Sequence, residues 1–586
     1  MAAFTRRLVC AAALVLLVVQ VEPVIASIPA DYVWTTDASG NWNLSDNWTP
    51  LGVPGDSSSD TATINITGTP YTVTLNTAPT IAGFTLNSGD AIFLIPGLTL
   101  TVNGPSAIQA GEVQMDNGTW AGSGTLTNDA TLRIRGNVQI SAPLTQNGQV
   151  TIQGDSTVGG ASLNAASSFQ NSGTITLTST GGGYPATLST SPGQTLTNAP
   201  AGFLKVLPGA GGPRYLTMDL TNDGTVQIDA TTPFNRNGAT FTNNGSVQIA
   251  AGQTLEMNAG SQTFTHNAGA DLVFNSGSGG AFSLGGGIFN HNGGTLGGTP
   301  RLQSSTLNIG PGVTTAADFL LWGACVLTGN VAPAQTLTVA GDSTVGGASL
   351  NAASSFQNSG TITLTSTGGG YDATLSTSPG QTLTNAPAGF LKVLPGAGGP
   401  RYLTMDLTNE GTLYVGTTTY FDRSGATLTN SSTGRITGPG NLVFSGTTLV
   451  NNGTVAPGAS PGTLTITGDY NQSATAVLEI EIGGLAPGTD YDTLVVTGAA
   501  LLDGTVDVSW YGPYVASKGD TFDVLTASGG ITDIGIALAP ADAKAWQINW
   551  LGGPTVTTLQ LEYVPEPATL SLLAVGGALL ALRRRR

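Results

Sequence analysis

Two histidines, His266 and His291, are the residues of this sequence best suited to proton transfer or metal binding. A neutral imidazole ligates zinc, and it titrates near neutral pH, so a histidine pair among carboxylates would indicate a metal site or an acid–base catalyst. Both lie in the same local context, FTHNAGA and FNHNGGT, where related segments carry Asn or Gln. No acidic cluster accompanies them in the sequence, which therefore predicts two turn residues and no metal site.

Carboxylates and basic side chains are the other groups that could do chemistry. Glycosidases need paired carboxylates on one face, and many polysaccharide lyases need Arg or Lys beside calcium-binding Asp. Side chains of these types in the repeated region include Asp155, Asp219, Asp223, Lys205, Arg214, Lys392 and Arg401. Because they are isolated along the chain, the sequence predicts a protein that is not an enzyme and needs no cofactor. A polysaccharide-degrading or glycan-binding protein remains the alternative.

Composition narrows the class of protein further. The chain has 586 residues, of which 83 are Gly and only 9% are charged, while 40% are hydrophobic and alternate with polar residues. This pattern is typical of a β-rich extracellular protein and not of a disordered one. A net charge of −17 argues against nucleic acid as a partner, since nucleic-acid binding needs clustered Lys and Arg. Outside the N-terminal leader the one cysteine is Cys325, which is expected to be a small buried residue.

The N-terminal segment, MAAFTRRLVCAAALVLLVVQVEPVIAS, has the three parts of a secretory signal peptide. Arg6 and Arg7 precede an apolar run, and small residues lead up to Ala26 and Ser27. This order matches what signal peptidase requires. We therefore expect residues 1–26 to be removed between Ala26 and Ser27, and the protein to be secreted.

The C-terminal segment, VPEPATLSLLAVGGALLALRRRR, covers residues 564–586. Residues 568–582 contain no charge and predict a transmembrane helix, although this run is shorter than the ~20 residues that span a bilayer comfortably. Four arginines follow and would hold the far end of such a helix on the cytoplasmic face.

The motif formed by Val564, Pro565, Glu566 and Pro567, followed by the apolar run and by Arg583, Arg584, Arg585 and Arg586, resembles the PEP-CTERM sorting signal of Gram-negative bacteria. The resemblance implies that an exosortase, a membrane-embedded cysteine protease, cuts the chain near Pro-Glu-Pro after transient anchoring in the inner membrane. It also implies a cell-surface or extracellular protein associated with exopolysaccharide and biofilm matrix. By this resemblance the motif residues are recognised by another enzyme and are not catalytic themselves.

Between these ends the sequence repeats. Residues 154–225 recur at 341–412 with only two differences, Pro185 against Asp372 and Asp223 against Glu410. A shorter repeat of the form LTNDGTVQI lies beneath this duplication, with mostly 21 to 25 residues between copies. Units this short cannot bury their own apolar residues, so they must stack. Residues 90–455 are therefore predicted to form a right-handed parallel β-helix with Asn-Gly-type turns that accept positive φ; an array of β-sandwiches is the alternative.

The segment before the repeats, residues 27–89, carries Trp34, Trp42 and Trp48. It resembles the opening segment of many large secreted β-helix proteins, which implies an N-terminal aromatic cap with the first strands of the solenoid. The alternative is a platform on which sugar rings stack against the indoles.

The segment after the repeats, residues 456–563, contains PGASPGTL and YDTLVVTG. It resembles the terminal passenger region of autotransporter-like adhesins, which implies autotransporter-like repeats and adhesion. Unlike true autotransporters, it is followed by a short apolar run and arginines, so we expect a β-rich C-terminal cap or stalk.

The sequence thus predicts an all-β protein: a right-handed parallel β-helix with an N-terminal aromatic cap, a β-rich C-terminal region and a C-terminal transmembrane helix. Its expected role is structural or adhesive at the surface of a Gram-negative bacterium, with signal peptidase and exosortase as processing partners. A minor alternative is ice binding, because threonines such as Thr174, Thr176 and Thr178 would form flat outward ladders.

Overall fold

In the computed structural model, which describes residues 28–274 and 281–564, the chain is a parallel β-solenoid with almost no helix. The helical element of these residues is one short 3-10 turn, Ser45–Asn47. None of their helices has the length and hydrophobicity that crossing a bilayer requires. The predicted signal peptide, the predicted transmembrane helix at 568–582 and the motif beyond Val564 lie outside the described residues.

The solenoid forms because alternate residues of each short strand are apolar and point inward. Corresponding residues of successive coils then stack in register, as Leu132 pairs with Val150 and Val150 with Ile175. These side chains, at most 1% exposed, belong to one continuous apolar core. No coil could bury its apolar residues alone, so each coil depends on its neighbours.

Each full coil places one strand on each of three faces. The first face holds Thr80–Ile81, Thr99–Val102, Thr119–Ala121, Asn137–Ile140, Ala161–Ala165, Ala186–Thr190, Arg214–Thr217, Thr232–Pro233, Thr254–Met257, Ala281–Gly285, Arg301–Gln303, Ala317–Trp322, Gln335–Gly341, Thr361–Ser366, Phe390–Val393, Thr412–Val415, Arg435–Gly438, Thr454–Pro457, Val477–Ile482, Thr505–Trp510 and Ala537–Leu538.

The second face holds Asp31–Trp34, Thr61–Ile64, the first parts of Gly83–Pro96 and Ser106–Asp116, Leu126–Asn128, Leu144–Gln146, Phe169–Asn171, Thr195–Asn198, Asp219–Asn222, Thr240–Asn243, Thr263–His266, Ile288–His291, Thr306–Ile309, Ala324–Thr328, Ala348–Ala352, Ala373–Thr377, Arg401–Thr404, Thr419–Phe421, Asn441–Phe444, Thr463–Thr467, Thr493–Val496 and Thr521–Ala527.

The third face holds Gly40–Asn41, Tyr71–Thr74, the second parts of Gly83–Pro96 and Ser106–Asp116, Thr131–Arg135, Gln149–Gly154, Thr174–Ser179, Phe203–Val206, Thr225–Ile228, Ser246–Ile249, Asp271–Phe274 and Thr295–Gly297, and resumes with Phe356–Asn358, Thr382–Asn385, Asp406–Asn409, Thr427–Asn430, Thr448–Asn451, Tyr470–Asn471, Ala500–Leu502 and Ile531–Asp533. Short antiparallel elements stand at the two ends: Trp48–Thr49 beside Asp31–Trp34, and Trp546–Gly552 beside Val556–Tyr563.

The two near-identical copies do not lie on the same faces. In the first copy Ala161–Ala165 lies on the first face, whereas the equivalent Ala348–Ala352 of the second copy lies on the second face. The distance along the chain from one copy to the other therefore corresponds to eight complete coils plus the step from one face to the next. This is possible because all three faces bury the same kind of apolar strand, so a strand can serve any of them.

The solenoid extends beyond the range predicted for it. Parallel pairing already joins Asp31–Trp34 to Thr61–Ile64, and it continues as far as the pairing of Thr505–Trp510 with Ala537–Leu538. The predicted boundaries at 90 and 455 thus fall inside a continuous stack, and most of residues 456–563 adds further coils. The outer ends lack the LTN-type repeat, which is why the sequence pattern placed the boundaries too far inward.

The repeated Asn residues are not positive-φ turn residues, so that prediction was wrong. They point into the core and form two runs, which we call the polar ladder: Asn128, Gln146, Asn171, Asn198, Asn222, Asn243, His266 and His291, then Asn358, Asn385, Asn409, Asn430 and Asn451. Each is at most 1% exposed. Among the described residues other than glycine, positive φ occurs at Asn117, Ser261, Ser304 and Ser460.

Hydrogen bonds between coils make the polar ladder tolerable in an apolar core. Asn198 Nδ2 donates to Asn222 Oδ1 at 2.8 Å, and Asn222 Nδ2 donates to Asn243 Oδ1 at 2.9 Å. The Asn222 amide also donates to the Ser246 carbonyl at 3.1 Å. A buried amide that found no such partner would cost free energy, so the ladder fixes the register of each coil on the next.

Replacing Asn222 with Ala should lower the free energy of unfolding by ~2–4 kcal/mol, because Asn198, Asn243 and Ser246 each lose a buried hydrogen-bond partner. Guanidinium unfolding followed by circular dichroism measures the change. The matched control is Asn244→Ala, which removes the exposed neighbouring amide that bonds to Asp223 Oδ1. Equal destabilisation by the two variants would contradict the role given to the ladder.

Candidate functional site

His266 and His291 occupy two consecutive positions of the polar ladder and are fully buried. His266 Nδ1 lies 3.4 Å from Asn243 Nδ2, and its Nε2 lies 3.1 Å from the Thr295 carbonyl. Since the amide donates and the carbonyl accepts, the ring is neutral with its proton on Nε2. The two imidazoles stack with centroids 6.1 Å apart and planes 9° apart.

Burial lowers the pKa of both imidazoles to about 4, and each lacks a carboxylate partner in the ladder. His291 Nε2 lies 3.3 Å from Thr315 Oγ1. Neither ring reaches solvent, so neither has an open position for a metal ion or a substrate. Within the described residues no group of three or more His, Cys, Asp or Glu could hold a metal ion.

Arg214 and Arg401, which the sequence showed only as scattered cations, are fully buried. Arg214 donates through Nη2 to the Pro208 carbonyl at 2.7 Å and to Ser179 Oγ at 2.9 Å. Arg401 makes the same bonds in the second copy, to Pro395 and Ser366. Burial lowers the pKa of both guanidinium groups. They hold their Pro-Gly-rich loops in place and present no charge to a ligand.

The aspartates singled out in the sequence do not converge on one groove. Asp219 pairs with Arg236, and Asp155 with Arg135 at 2.9 Å. Burial raises the pKa of Asp155, but the backbone N–H groups of its turn and the Arg135 guanidinium outweigh this and keep it below the ordinary value. Asp223 accepts a hydrogen bond from the exposed Asn244 amide. Lys205 and Lys392 lie over the neighbouring Phe203 and Phe390 rings, with Nζ to centroid distances of 4.6 and 5.4 Å.

Trp34, Trp42 and Trp48 are at most 2% exposed, so none offers a free face to a sugar ring in this structure. Trp48 packs edge-to-face on Trp34 and Trp42, with centroids 5.1 and 4.9 Å apart. Trp42 Nε1 donates to the Pro54 carbonyl at 2.9 Å. The cluster covers the N-terminal end of the apolar core, and the alternative of a stacking platform is corrected accordingly.

Two further groups with reactive side chains are unsuited to nucleophilic chemistry. Cys325 is 1% exposed, and burial raises the pKa of its thiol. Ser460 lies in GASPG, a G-x-S-x-G pattern, with φ of 69°. The pattern here joins two strands and is not followed by a helix, and both histidines of the chain belong to the ladder. The context that a nucleophile elbow requires is therefore missing.

The C-terminal end of the solenoid is the part of the structure that presents the sorting segment. The last strand, Val556–Tyr563, alternates so that Leu559, Leu561 and Tyr563 share one face. Leu559 and Leu561 are fully buried, and the Tyr563 ring packs against Trp546 with centroids 5.0 Å apart.

Backbone hydrogen bonds hold this strand up to the first residue of the motif. Tyr563 N donates to the Asp520 carbonyl at 2.9 Å, and Val564 N donates to the Ala545 carbonyl at 2.7 Å. Proline has no backbone N–H, so Pro565 has no donor with which to extend the ladder. Of the predicted motif residues the structure describes Val564 alone; Pro565, Glu566, Pro567 and Arg583 to Arg586 lie outside the described residues.

A family model described as the PEP-CTERM protein-sorting motif matches residues 564–586. The match begins at the residue that follows the last strand. It indicates a secreted surface protein that an exosortase processes, and it covers the sorting segment only. No protein of described function matches the chain. The autotransporter-like character of the repeats is not confirmed by these comparisons.

Because both histidines are buried, we expect the free energy of unfolding to decrease in mild acid. Above pH 6.5 the imidazoles are neutral in both the folded and the unfolded chain, so they have no effect. Between pH 6.5 and about 4 the unfolded chain binds protons that the folded core excludes, and stability falls. The loss levels off below pH 4 at about 3 kcal/mol per histidine.

The double variant His266→Asn/His291→Asn, which restores the residue type of the rest of the ladder, should not show this loss. Unfolding of both proteins by guanidinium from pH 7 to pH 4 measures the difference. Burial raises the pKa of Asp492 to about 7, and this group stabilises the protein increasingly as the pH falls from 7 towards 4. Asp492 is present in both proteins, so its contribution to the free energy of unfolding is the same in each and cancels when the two pH profiles are compared. Parallel pH profiles would contradict the assignment.

Proposed function

We propose that the protein is a non-enzymatic surface protein, exported from the cell, sorted by an exosortase and displayed as a long rod with a structural or adhesive role. The observation that carries this proposal is the position of the sorting motif. It starts at Val564, directly after the strand that closes the C-terminal end of the solenoid. The folded rod is thus joined to its sorting signal without an intervening linker.

This arrangement suits processing by a membrane-embedded protease. The last backbone hydrogen bond that the structure describes is the one from Val564 to Ala545. Pro565, Glu566 and Pro567 follow immediately, and the apolar run at 568–582 would anchor the chain in the inner membrane. We infer that this anchor is temporary and that the exosortase cuts near Pro-Glu-Pro.

The absence of an activity of its own is part of this proposal. It is supported by the burial of both histidines in the ladder, by the carbonyl cages around Arg214 and Arg401 and by the ion pairs of Asp155 and Asp219. Groups with these partners have little capacity left for binding and transforming a substrate.

The outer surface supports a role in a hydrated matrix. Outward positions of the strands are rich in Thr, Ser, Asn and Gln, whose hydroxyl and amide groups can exchange hydrogen bonds between water and sugar hydroxyls. With a net charge of −17 the chain would be repelled by a strongly anionic polysaccharide at low salt. We therefore propose that any associated exopolysaccharide is neutral, and that the rod acts as a spacer or adhesive element within it.

The sorting proposal is tested in a bacterium that has an exosortase. Wild-type protein should be recovered from the surface or medium with a C-terminus near Pro567 and without the four arginines. The double variant Pro565→Ala/Pro567→Ala should stay in the membrane fraction with Arg586 in place. Mass spectrometry of the C-terminal peptide measures both, and Pro540→Ala, at an exposed proline of the C-terminal region, is the control. Recovery of wild-type protein with an intact Arg586 would overturn the proposal.

A further inference from the structure

The C-terminal end of the solenoid is less completely covered than the N-terminal end. In the strand Thr505–Trp510 the alternate residues Val506, Val508 and Trp510 lie on the face that points inward. The following strand of this face, Ala537–Leu538, pairs only with Thr505 and Val506. Trp510 therefore stands at a core position without a coil above it and is 44% exposed.

Trp510, the two rings that contact it and the exposed apolar residues next to these in the sequence form a set that we call the terminal aromatic patch: Trp510, Tyr511, Tyr514, Val515 and Tyr563. Tyr511 is 46% and Val515 72% exposed. The Trp510 ring contacts Tyr514 and Tyr563, with centroids 6.2 and 5.7 Å apart. The patch thus combines half-exposed indole and phenol rings, which have an apolar body and a polar tip.

The patch lies where the chain leaves the folded cap towards its apolar segment. Tyr563 belongs to the patch and precedes Val564, and the uncharged run begins at residue 568. If that run enters a bilayer, four residues at most separate the patch from the membrane surface. An extended chain of that length reaches about 14 Å, less than half of a bilayer's thickness.

Two lysines flank the same exit point. The chain has four lysines in all, Lys205, Lys392, Lys518 and Lys544. Lys518 precedes Gly519, whose N–H donates to the Tyr563 carbonyl at 2.9 Å, and Lys544 precedes Ala545, whose carbonyl accepts from Val564 at 2.7 Å. Both side chains are exposed.

Two carboxylates close to these lysines in the sequence accept hydrogen bonds from the protein itself. Asp520 accepts hydrogen bonds from Ser517 N at 2.7 Å and from the Tyr514 hydroxyl at 3.1 Å. Asp542 accepts from Val508 N at 3.0 Å. Seven carboxylates of residues 503–564 outnumber the two lysines: Asp503, Asp507, Asp520, Asp523, Asp533, Asp542 and Glu562. This end of the rod is therefore acidic, and any attraction to a bilayer has to come from the aromatic rings.

We propose that the terminal aromatic patch docks on the surface of a phospholipid bilayer with zwitterionic headgroups, while the C-terminal segment is inserted in the same bilayer. Tryptophan and tyrosine favour the headgroup region because their rings are amphipathic. The proposal rests on the proposed function, since the tail brings the patch to the membrane. Docking would hold Pro-Glu-Pro at the membrane surface, where a membrane-embedded protease can reach it.

A second copy of the chain is a poorer occupant of the patch. Stable protein interfaces use about 20–30 residues on each side, and the patch has only three well-exposed apolar side chains. Self-association is therefore kept as an outcome of the test.

The test uses residues 27–586, the chain after removal of the predicted signal peptide, reconstituted into vesicles of phosphatidylcholine. Val515→Cys carries an environment-sensitive fluorophore, and the 1% exposed Cys325 is protected from labelling. The matched control is Leu51→Cys at the other end of the rod, where the side chain is 75% exposed. Lipids with a nitroxide on the headgroup quench a fluorophore that lies at the membrane surface.

The label at position 515 should be quenched at least threefold more strongly than the label at position 51. Adding Trp510→Ser and Tyr511→Ser should reduce this quenching. Equal quenching of the two labels on protein that floats with the vesicles would overturn docking and leave the tail anchor intact. Protein that does not float with the vesicles would overturn the anchor as well, and a 515 label that responds to protein concentration without vesicles would assign the patch to a second copy.

Discussion

The structure depends on the register with which each coil stacks on the next. In a parallel solenoid the backbone of one coil can satisfy its hydrogen bonds only through the coils before and after it. The same stacking places apolar residues above apolar residues, as in the column of Leu132, Val150 and Ile175. A shift by one residue would turn the whole inward set to solvent, so the apolar pattern and the hydrogen bonds enforce the same register.

The polar ladder adds specificity to this register. A column of leucines tolerates small displacements, whereas an amide that donates to the coil above must meet an acceptor at about 3 Å. The ladder changes character at His266 and His291, where stacking partly replaces the amide-to-amide bond. Shortly beyond them the third face loses its strands between Thr295–Gly297 and Phe356–Asn358. The middle of the rod is thus the place where the repeating pattern is least regular.

A stack of this kind is constrained at its ends, where one side of a coil has no neighbour. At the N-terminal end three buried indoles close the core. At the C-terminal end an antiparallel pair of strands closes it only in part, and aromatic side chains remain exposed beside the exit of the sorting segment. The two ends therefore differ in their exposed surface. The N-terminal end buries its aromatic side chains, whereas the C-terminal end exposes aromatic side chains that a membrane could cover.

The duplication illustrates how little the core distinguishes one face from another. A segment that is nearly identical in sequence lies on different faces in its two copies, yet Arg214 and Arg401 form the same loop cage in both. The local structure of the segment is therefore determined by its own sequence. The face on which each of its strands lies depends on how many residues the intervening coils contain.

The sequence by itself determined the class of fold, the inward and outward sides of the strands and the sorting segment, because each is written in a local pattern. In LTNDGTVQI the Asn is two residues after the Leu, so the alternation of inward and outward side chains along a strand places both on the inward side. The polar amide of the Asn nevertheless suggested a turn. The predicted signal peptide and transmembrane helix remain predictions. Only the tertiary structure decided that Asn198 or His266 finds a partner in the core, that Arg214 is caged by carbonyls, that the indoles are covered and that Trp510 is not. The partners of Asn198 and His266 lie 23 to 29 residues away, and the coil lengths that bring them into contact are set by the whole stack. The carbonyls around Arg214 are closer in sequence, but the loop that presents them takes shape only in the folded coil.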